Sequence, residues 1–109
     1  MLLEELTTLI NLGSIERIPL GEGRDFVIDN KEIAIFRTRN GRIFAVDAKC
    51  PHRNGPLADG ILGGSTIVCP YHSYKFELTT GQPVGHDCSA LKTYPVEVSA
   101  TGDILLTWG

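Results

Sequence analysis

Apolar and polar positions change period along this chain. Near the start, Leu2, Leu3, Leu6, Leu9 and Ile10 fall at helical spacing, which favours a short amphipathic helix; a strand lead-in or a frayed terminus fits the same residues. From residue 33 onward the apolar runs are short and rich in β-branched and aromatic residues, as strands are. This pattern predicts strands at residues 33–37, 43–46, 65–69, 75–78, 94–99 and 104–108.

Glycine-containing turns separate the predicted strands. Asn40-Gly41 lies between the first two and is a strong hairpin signal, because both residues tolerate positive φ. Further turns are predicted at Gly63-Gly64, Thr80-Gly81 and Thr101-Gly102-Asp103. Short strands with regular turns predict an all-β sandwich or small barrel. The length of 109 residues fits a single domain spanning residues 1–109.

Composition excludes several classes of function. The net charge is −3 and there is no basic patch with interleaved aromatic residues, which argues against nucleic acid as a partner. The apolar runs are far shorter than a membrane span. Glu4 and Glu5 lie in the first twelve residues, which hold no Lys or Arg, and this is unlike the basic start of a signal peptide. We therefore expect a cytoplasmic protein.

Two short motifs contain the candidate chemistry: Cys50-Pro51-His52 and Cys69-Pro70-Tyr71-His72. Each motif joins one thiol to one imidazole, and both follow predicted strands. Two thiolates and two imidazoles in this order suit a [2Fe–2S] cluster in which Cys50 and Cys69 bind one iron while His52 and His72 bind the other. Such a cluster moves one electron at a time, so the motifs predict an electron carrier.

The alternative is a structural zinc site, which also accepts two Cys and two His. Zinc sites usually pair Cys with Cys and His with His, with two to four residues between them. Here each motif mixes the two ligand types, and a single residue separates Cys50 from His52. The spacing therefore favours the iron–sulfur cluster.

Cys88 and His86 remain outside this ligand set. They are two residues apart in a polar, glycine-containing segment. A second metal site would need two further ligands, so we expect a free thiol and a surface imidazole. Three cysteines, of which two are assigned to the cluster, are typical of a reducing compartment.

Residues 50–60 (CPHRNGPLADG) and 69–78 (CPYHSYKFEL) closely resemble the Rieske family. Within it, the chain is most similar to the small subunit of NAD(P)H-dependent nitrite reductases and their stand-alone relatives. The alternative is a Rieske ferredoxin of a ring-hydroxylating dioxygenase system, which shares the same frame. Flanking segments extend the resemblance: Ile18-Pro19, Gly21-Glu22-Gly23-Arg24, residues 33–38, Thr80-Gly81 and Lys92-Thr93-Tyr94-Pro95-Val96. The resemblance implies an antiparallel sandwich of small sheets with both cluster-binding loops at one tip.

The same resemblance implies a redox protein as partner. This would be a nitrite reductase large subunit, or a flavoprotein reductase together with a terminal oxygenase. The chain alone cannot be an oxygenase, since these enzymes need a separate iron site of two His and a carboxylate, and only His86 is left over. We expect no catalysis from the chain itself. Candidates for the docking tip are Pro51, Pro70, Tyr71 and Leu57, with Arg53 as a charge.

Departures from high-potential Rieske proteins concern four positions. Those proteins carry an extra Cys in each cluster loop, where this chain has Gly55 and Tyr71, so the corresponding disulfide is absent. Their Ser and Tyr hydroxyl donors correspond to Tyr74 and Phe76, and Phe has no hydroxyl. Both departures predict a reduction potential near the low end of the Rieske range.

Overall fold

The computed structural model describes residues 8–51, 54–71 and 73–108, which form three small antiparallel sheets. The strands are β1 (Thr8–Ser14), β2 (Glu22–Ile28), β3 (Lys31–Arg37), β4 (Ile43–Asp47), β5 (Ile61–Gly63), β6 (Thr66–Val68), β7 (Lys75–Glu77), β8 (Pro83–Val84), β9 (Thr93–Tyr94), β10 (Val96–Val98) and β11 (Asp103–Trp108). Two 3-10 turns, Ile15–Arg17 and Leu57–Asp59, complete the regular structure of this part of the chain.

The sheets have the strand orders β1-β11-β10, β2-β3-β4-β9 and β5-β6-β7-β8, and neighbouring strands are antiparallel throughout. This confirms the predicted all-β architecture of small antiparallel sheets. All six predicted strands are present, although the run at residues 94–99 is divided between β9 and β10 by Pro95.

The sheet β2-β3-β4-β9, here called the middle sheet, is buried on both faces at β3. Ile33 and Ile35 belong to one core, shared with Ile104 and Leu106 of β11. Ala34 and Phe36 point the other way, because successive strand residues face opposite sides, and they belong to a second core shared with β6 and β7. A strand buried on both faces reads as a continuous apolar run. The sequence Ile33-Ala34-Ile35-Phe36 is such a run.

Tyr94, in β9 of the middle sheet, contacts both β4 of the same sheet and β11 of the sheet β1-β11-β10. Its hydroxyl donates a 2.6 Å hydrogen bond to Asp47 Oδ1 in β4, and Lys31 Nζ lies 3.4 Å from the same oxygen. The Tyr94 ring stacks on Trp108 of β11 with 5.5 Å between centroids. Burial, together with the Asp47 carboxylate, raises the pKa of Tyr94 above its ordinary value. The phenol is therefore held neutral within the fold.

The prediction of an N-terminal helix is wrong for the part of this segment that the structure describes. Residues 1–7 lie outside the described part of the chain, but Leu9 and Ile10 belong to β1, which pairs with β11. Ile10 and Leu12 pack against the core around Ile104, so pairing and burial along β11 decide the conformation. Three further strands were not predicted. β2 begins with mostly polar residues, β5 ends at Gly63, which the sequence assigns to a turn, and β8 has only two residues.

No helix in the described ranges is both long and apolar enough to span a membrane.

Candidate metal centre

The first candidate loop leaves β4 and closes on Cys50. The Cys50 amide donates to the Gly55 carbonyl at 2.8 Å, and the Asn54 amide donates to the Cys50 carbonyl at 2.7 Å. Asn54 adopts φ of 57°, a left-handed conformation that Asn tolerates better than most residues. The Leu57 amide then reaches the Ala48 carbonyl at 3.0 Å, which returns the chain to the base of the loop.

The second loop repeats this construction. Cys69 follows β6, and its amide donates to the Tyr74 carbonyl at 2.6 Å. Ser73 adopts φ of 58°. In both loops, therefore, the cysteine amide bonds to the carbonyl five residues on, and the residue just before that carbonyl is left-handed. The spacings of the two histidines differ, so this shared geometry was not visible in the sequence.

Both cysteine side chains are enclosed by the fold. Cys50 is 0% exposed and Cys69 is 1% exposed, and the two belong to one core with Leu57, Ile67 and Phe76. The thiols are free, and the Cys50 thiol lies close enough to raise the pKa of Cys69. The two loops thus bring together two sulfur atoms that are 19 positions apart in sequence.

Electrostatics at Cys69 favour the protonated thiol in the metal-free chain. Burial raises the pKa of Cys69 above its ordinary value, and the adjacent Cys50 thiol raises this pKa further. The Tyr71 amide, 3.4 Å from Cys69 Sγ, acts in the opposite direction. A metal ion that binds here must displace the Cys69 proton, so binding releases protons and weakens at low pH.

Gly55 leaves open the space beside Cys69. A Cβ atom at this glycine would lie 2.7 Å from Cys69 Sγ and 3.2 Å from the Tyr71 ring. A side chain would occupy the place where the two loops meet. Buried facing thiols, an amide directed at sulfur and a neighbouring residue without a side chain fit a sulfide-bridged iron cluster.

His52 and His72, the two predicted imidazole ligands, lie outside the described residues, and so does Arg53. Among the predicted docking residues that are described, Pro51, Pro70 and Tyr71 are exposed. Leu57 is 0% exposed and packs in the core beside Cys50, so its prediction as a docking residue is wrong.

Cys88 is a free thiol, as expected, but it is half-buried against the core that contains Cys50. Burial raises the pKa of Cys88, and nearby Cys50 and Asp87 add to this. His86 is not the surface imidazole that the sequence predicts, since it is half-buried against the Tyr74 ring. Within the described ranges no group of three or more His, Cys, Asp or Glu residues could bind a metal ion, so no second site is found there.

A family model for the Rieske [2Fe-2S] domain matches residues 9–95. The chain belongs to the Rieske [2Fe–2S] family. As a member it is an electron-transfer protein that carries one [2Fe–2S] cluster, in agreement with the enclosed sulfur pair.

The ferredoxin component of the naphthalene 1,2-dioxygenase/salicylate 5-hydroxylase systems of Ralstonia sp. is 34% identical over 93 residues, 82% of this chain and 86% of that protein. The solved ferredoxin of Sphingomonas yanoikuyae B1 superposes with a TM-score of 0.82 at 27% identity, covering 94% of this chain and 100% of its own. An NADH-dependent nitrite reductase small subunit of Mycobacterium tuberculosis has a TM-score of 0.85 at 20% identity, over 94% and 96% of the two chains. At that identity the likeness shows the fold alone.

Proposed function

We propose that this Rieske protein holds its cluster through Cys50 and Cys69 on one iron and His52 and His72 on the other. The pair of facing thiols supports this assignment, because each lies at the start of a loop that also contains one of the two histidines. Two neutral imidazoles in place of two thiolates would reduce the negative charge at the iron that His52 and His72 bind.

When bound, the cluster accepts and returns one electron at a time. The residues of this chain set how readily it does so. The Tyr71 amide is directed at Cys69 Sγ and stabilises negative charge on that sulfur. Water is kept from the sulfur atoms of the two cysteines by fully buried apolar side chains, those of Leu57, Ile67 and Phe76. Gly55 leaves room for close approach between the loops.

We propose that the chain works as a ferredoxin, a shuttle that takes electrons from a flavoprotein reductase and delivers them to a terminal oxygenase. The observation that supports this choice is the 34% identity, over 86% of its length, to a ferredoxin component of dioxygenase systems.

The second candidate is the small subunit of an NAD(P)H-dependent nitrite reductase. The flanking segments noted in the sequence favour it. The two candidates differ in the lifetime of the complex. A subunit remains bound to its large subunit, whereas a shuttle binds weakly and leaves.

The surface beside the second loop suits a protein partner. Ile61, Val68, Lys75 and Val84 form one row across β5–β8 and therefore share a face of the sheet. Ile61 is 74% exposed and Val84 is 45% exposed, and Tyr71 in the second loop is 48% exposed. An apolar face next to a redox centre fits docking of a redox protein, with Lys75 opposite an acidic group of that partner.

Reconstitution separates the two systems. The purified holoprotein is mixed with a ferredoxin reductase and a Rieske dioxygenase, and product formation from an aromatic substrate is measured. A parallel sample with a nitrite reductase large subunit is passed through a size-exclusion column. Hydroxylation with no lasting complex supports the shuttle. Coelution with the large subunit, and no hydroxylation, contradicts it and supports the subunit.

We propose a cytoplasmic location. The sequence holds three cysteines, of which two are assigned to the cluster, and this is typical of a reducing compartment.

A further inference from the structure

His86 lies where β8 leaves the third sheet. Gly85 adopts φ of 80° and turns the chain back, which brings His86 over the start of β7. Its Nε2 atom is 3.2 Å from the amide nitrogen of Lys75 and 3.0 Å from the Lys75 carbonyl oxygen. Nε2 accepts from the Lys75 amide when it carries no proton and donates to the Lys75 carbonyl when it does, so either tautomer bonds to the backbone of Lys75.

The imidazole ring also contacts two aromatic rings, Tyr74 just before β7 and Phe76 within it. The ring centroid lies 4.0 Å from that of Tyr74 and 5.6 Å from that of Phe76, the latter in edge-on geometry. His86 Nδ1 is buried and has no hydrogen-bond partner among the described residues. A buried polar atom without a partner costs free energy, which the ring and backbone contacts must offset.

The three consecutive residues that His86 contacts, Tyr74, Lys75 and Phe76, lie beside the second candidate loop. Tyr74 provides the carbonyl that accepts the Cys69 amide at 2.6 Å, closing the second loop. Phe76 packs in the core that contains Cys50 and Cys69. Lys75 lies between them and is held by the His86 imidazole.

We propose that His86 is a positioning residue for the second cluster loop. By holding Tyr74, Lys75 and Phe76 in place, it fixes the carbonyl that anchors Cys69 and so the direction of the Cys69 sulfur toward its iron. Groups that orient a ligand in this way tune the metal centre and its retention. The inference rests on the proposed ligand role of Cys69.

Two variants separate the hydrogen bond from the ring contact. His86→Gln keeps an amide group that can reach the Lys75 backbone but loses the ring. His86→Phe keeps the ring against Tyr74 and loses the hydrogen bond. His86→Ala loses both. Ser89→Ala, at an exposed position in the same segment, is the matched control.

For each purified protein, iron and acid-labile sulfide are counted, the EPR spectrum of the reduced form is recorded, and cluster loss in the presence of a chelator is timed. His86→Ala assembles a cluster, shows a displaced EPR spectrum and loses its iron about five-fold faster than wild type, the effect of one lost hydrogen bond on loop opening. His86→Gln recovers part of the retention. Ser89→Ala matches wild type.

Wild-type spectra and wild-type retention in all three His86 variants would overturn the proposal. If His86→Ala yields no folded protein, His86→Gln and His86→Phe decide by the same criteria. A wild-type protein without labile sulfide would instead contradict the ligand assignment. Hydrogen–deuterium exchange across residues 69–77 would still show whether His86 orders the loop, because exchange in His86→Ala is expected to be faster than in wild type and in Ser89→Ala.

Discussion

A Cβ atom at Gly55 would lie 2.7 Å from Sγ of Cys69, closer than carbon and sulfur atoms approach without displacement. Gly55 is in the first loop and Cys69 begins the second. The absence of a side chain at Gly55 therefore allows the two loops to meet at the sulfur pair. This position is also where high-potential Rieske proteins carry a disulfide cysteine, so its chemistry differs between the two kinds of protein.

Gly55→Ala is expected to lower cluster content. The added methyl group displaces either the Cys69 sulfur or the Tyr71 ring, and such overpacking costs about 1–3 kcal/mol. Gly63→Ala is the matched control, because a Cβ there has nothing within 4 Å. Labile sulfide per chain is measured in both after identical purification. Equal sulfide in the two variants and in wild type would contradict the role given to Gly55.

His72→Ala and Cys69→Ala are each expected to abolish the Rieske EPR signal, because each removes a proposed ligand. Cys88→Ala is the control. Its thiol packs against the same core but is not in the ligand set, so the signal should persist. Loss of the signal in Cys88→Ala, or its survival in His72→Ala, would show that the ligands are assigned wrongly.

The reduction potential is expected at roughly −150 to 0 mV at neutral pH, in the lower part of the Rieske range. Gly55 and Tyr71 cannot form the disulfide of high-potential relatives, and Phe76, which is fully buried, has no hydroxyl to donate. The Tyr71 amide is the donor to Cys69 that the described residues show. Voltammetry of the holoprotein measures this value, and a potential well above +200 mV would mean that other donors dominate the tuning.

Tyr94→Phe tests the hydrogen bond between β9 and β4, because it removes the hydroxyl and keeps the ring beside Trp108. At pH 7 the loss of the bond to Asp47 should lower the thermal midpoint by about 6–12 °C, as expected for about 1.5–3 kcal/mol in a domain of this size. The folded-state pKa of Tyr94 is raised, so above about pH 10 the unfolded chain loses this proton while the folded chain keeps it. Wild-type stability therefore falls as pH rises further.

The difference in midpoint between wild type and Tyr94→Phe should consequently narrow above about pH 10. Circular dichroism melts from neutral to alkaline pH measure both effects. Tyr71→Phe, which changes an exposed tyrosine, serves as control. A difference that stays constant with pH would show that the Tyr94 proton is not linked to folding.

Much of the fold was predictable because apolar or β-branched runs alternate with turn residues. The doubly buried β3 and the Asn40-Gly41 turn after it are examples. The opening segment was not, because Leu9 and Ile10 fit helical spacing and only the presence of β11 alongside makes them a strand. β5 was missed because it ends at a glycine pair that is typical of a turn, and β8 because it has only two residues.

Some features of the candidate site could be predicted from the sequence and others could not. Cys50 and Cys69 could be proposed as ligands from ligand chemistry and spacing, which are local properties. His86 could not be assigned, since its contacts with Tyr74 and Lys75 depend on the turn at Gly85 and on the pairing of β7 with β8. Leu57 looked like a docking residue because an apolar residue in a loop can be either exposed or buried. Only the packing of the loop against β3 and β6 decides between these outcomes.

The EPR spectrum of the reduced, natively purified protein tests whether the chain binds one Rieske [2Fe–2S] cluster. We expect a red-brown protein with a Rieske signal, and two iron and two labile sulfide atoms per chain. A colourless protein with stoichiometric zinc, no labile sulfide and no EPR signal would contradict it. That result would leave Cys50, His52, Cys69 and His72 as a structural zinc site.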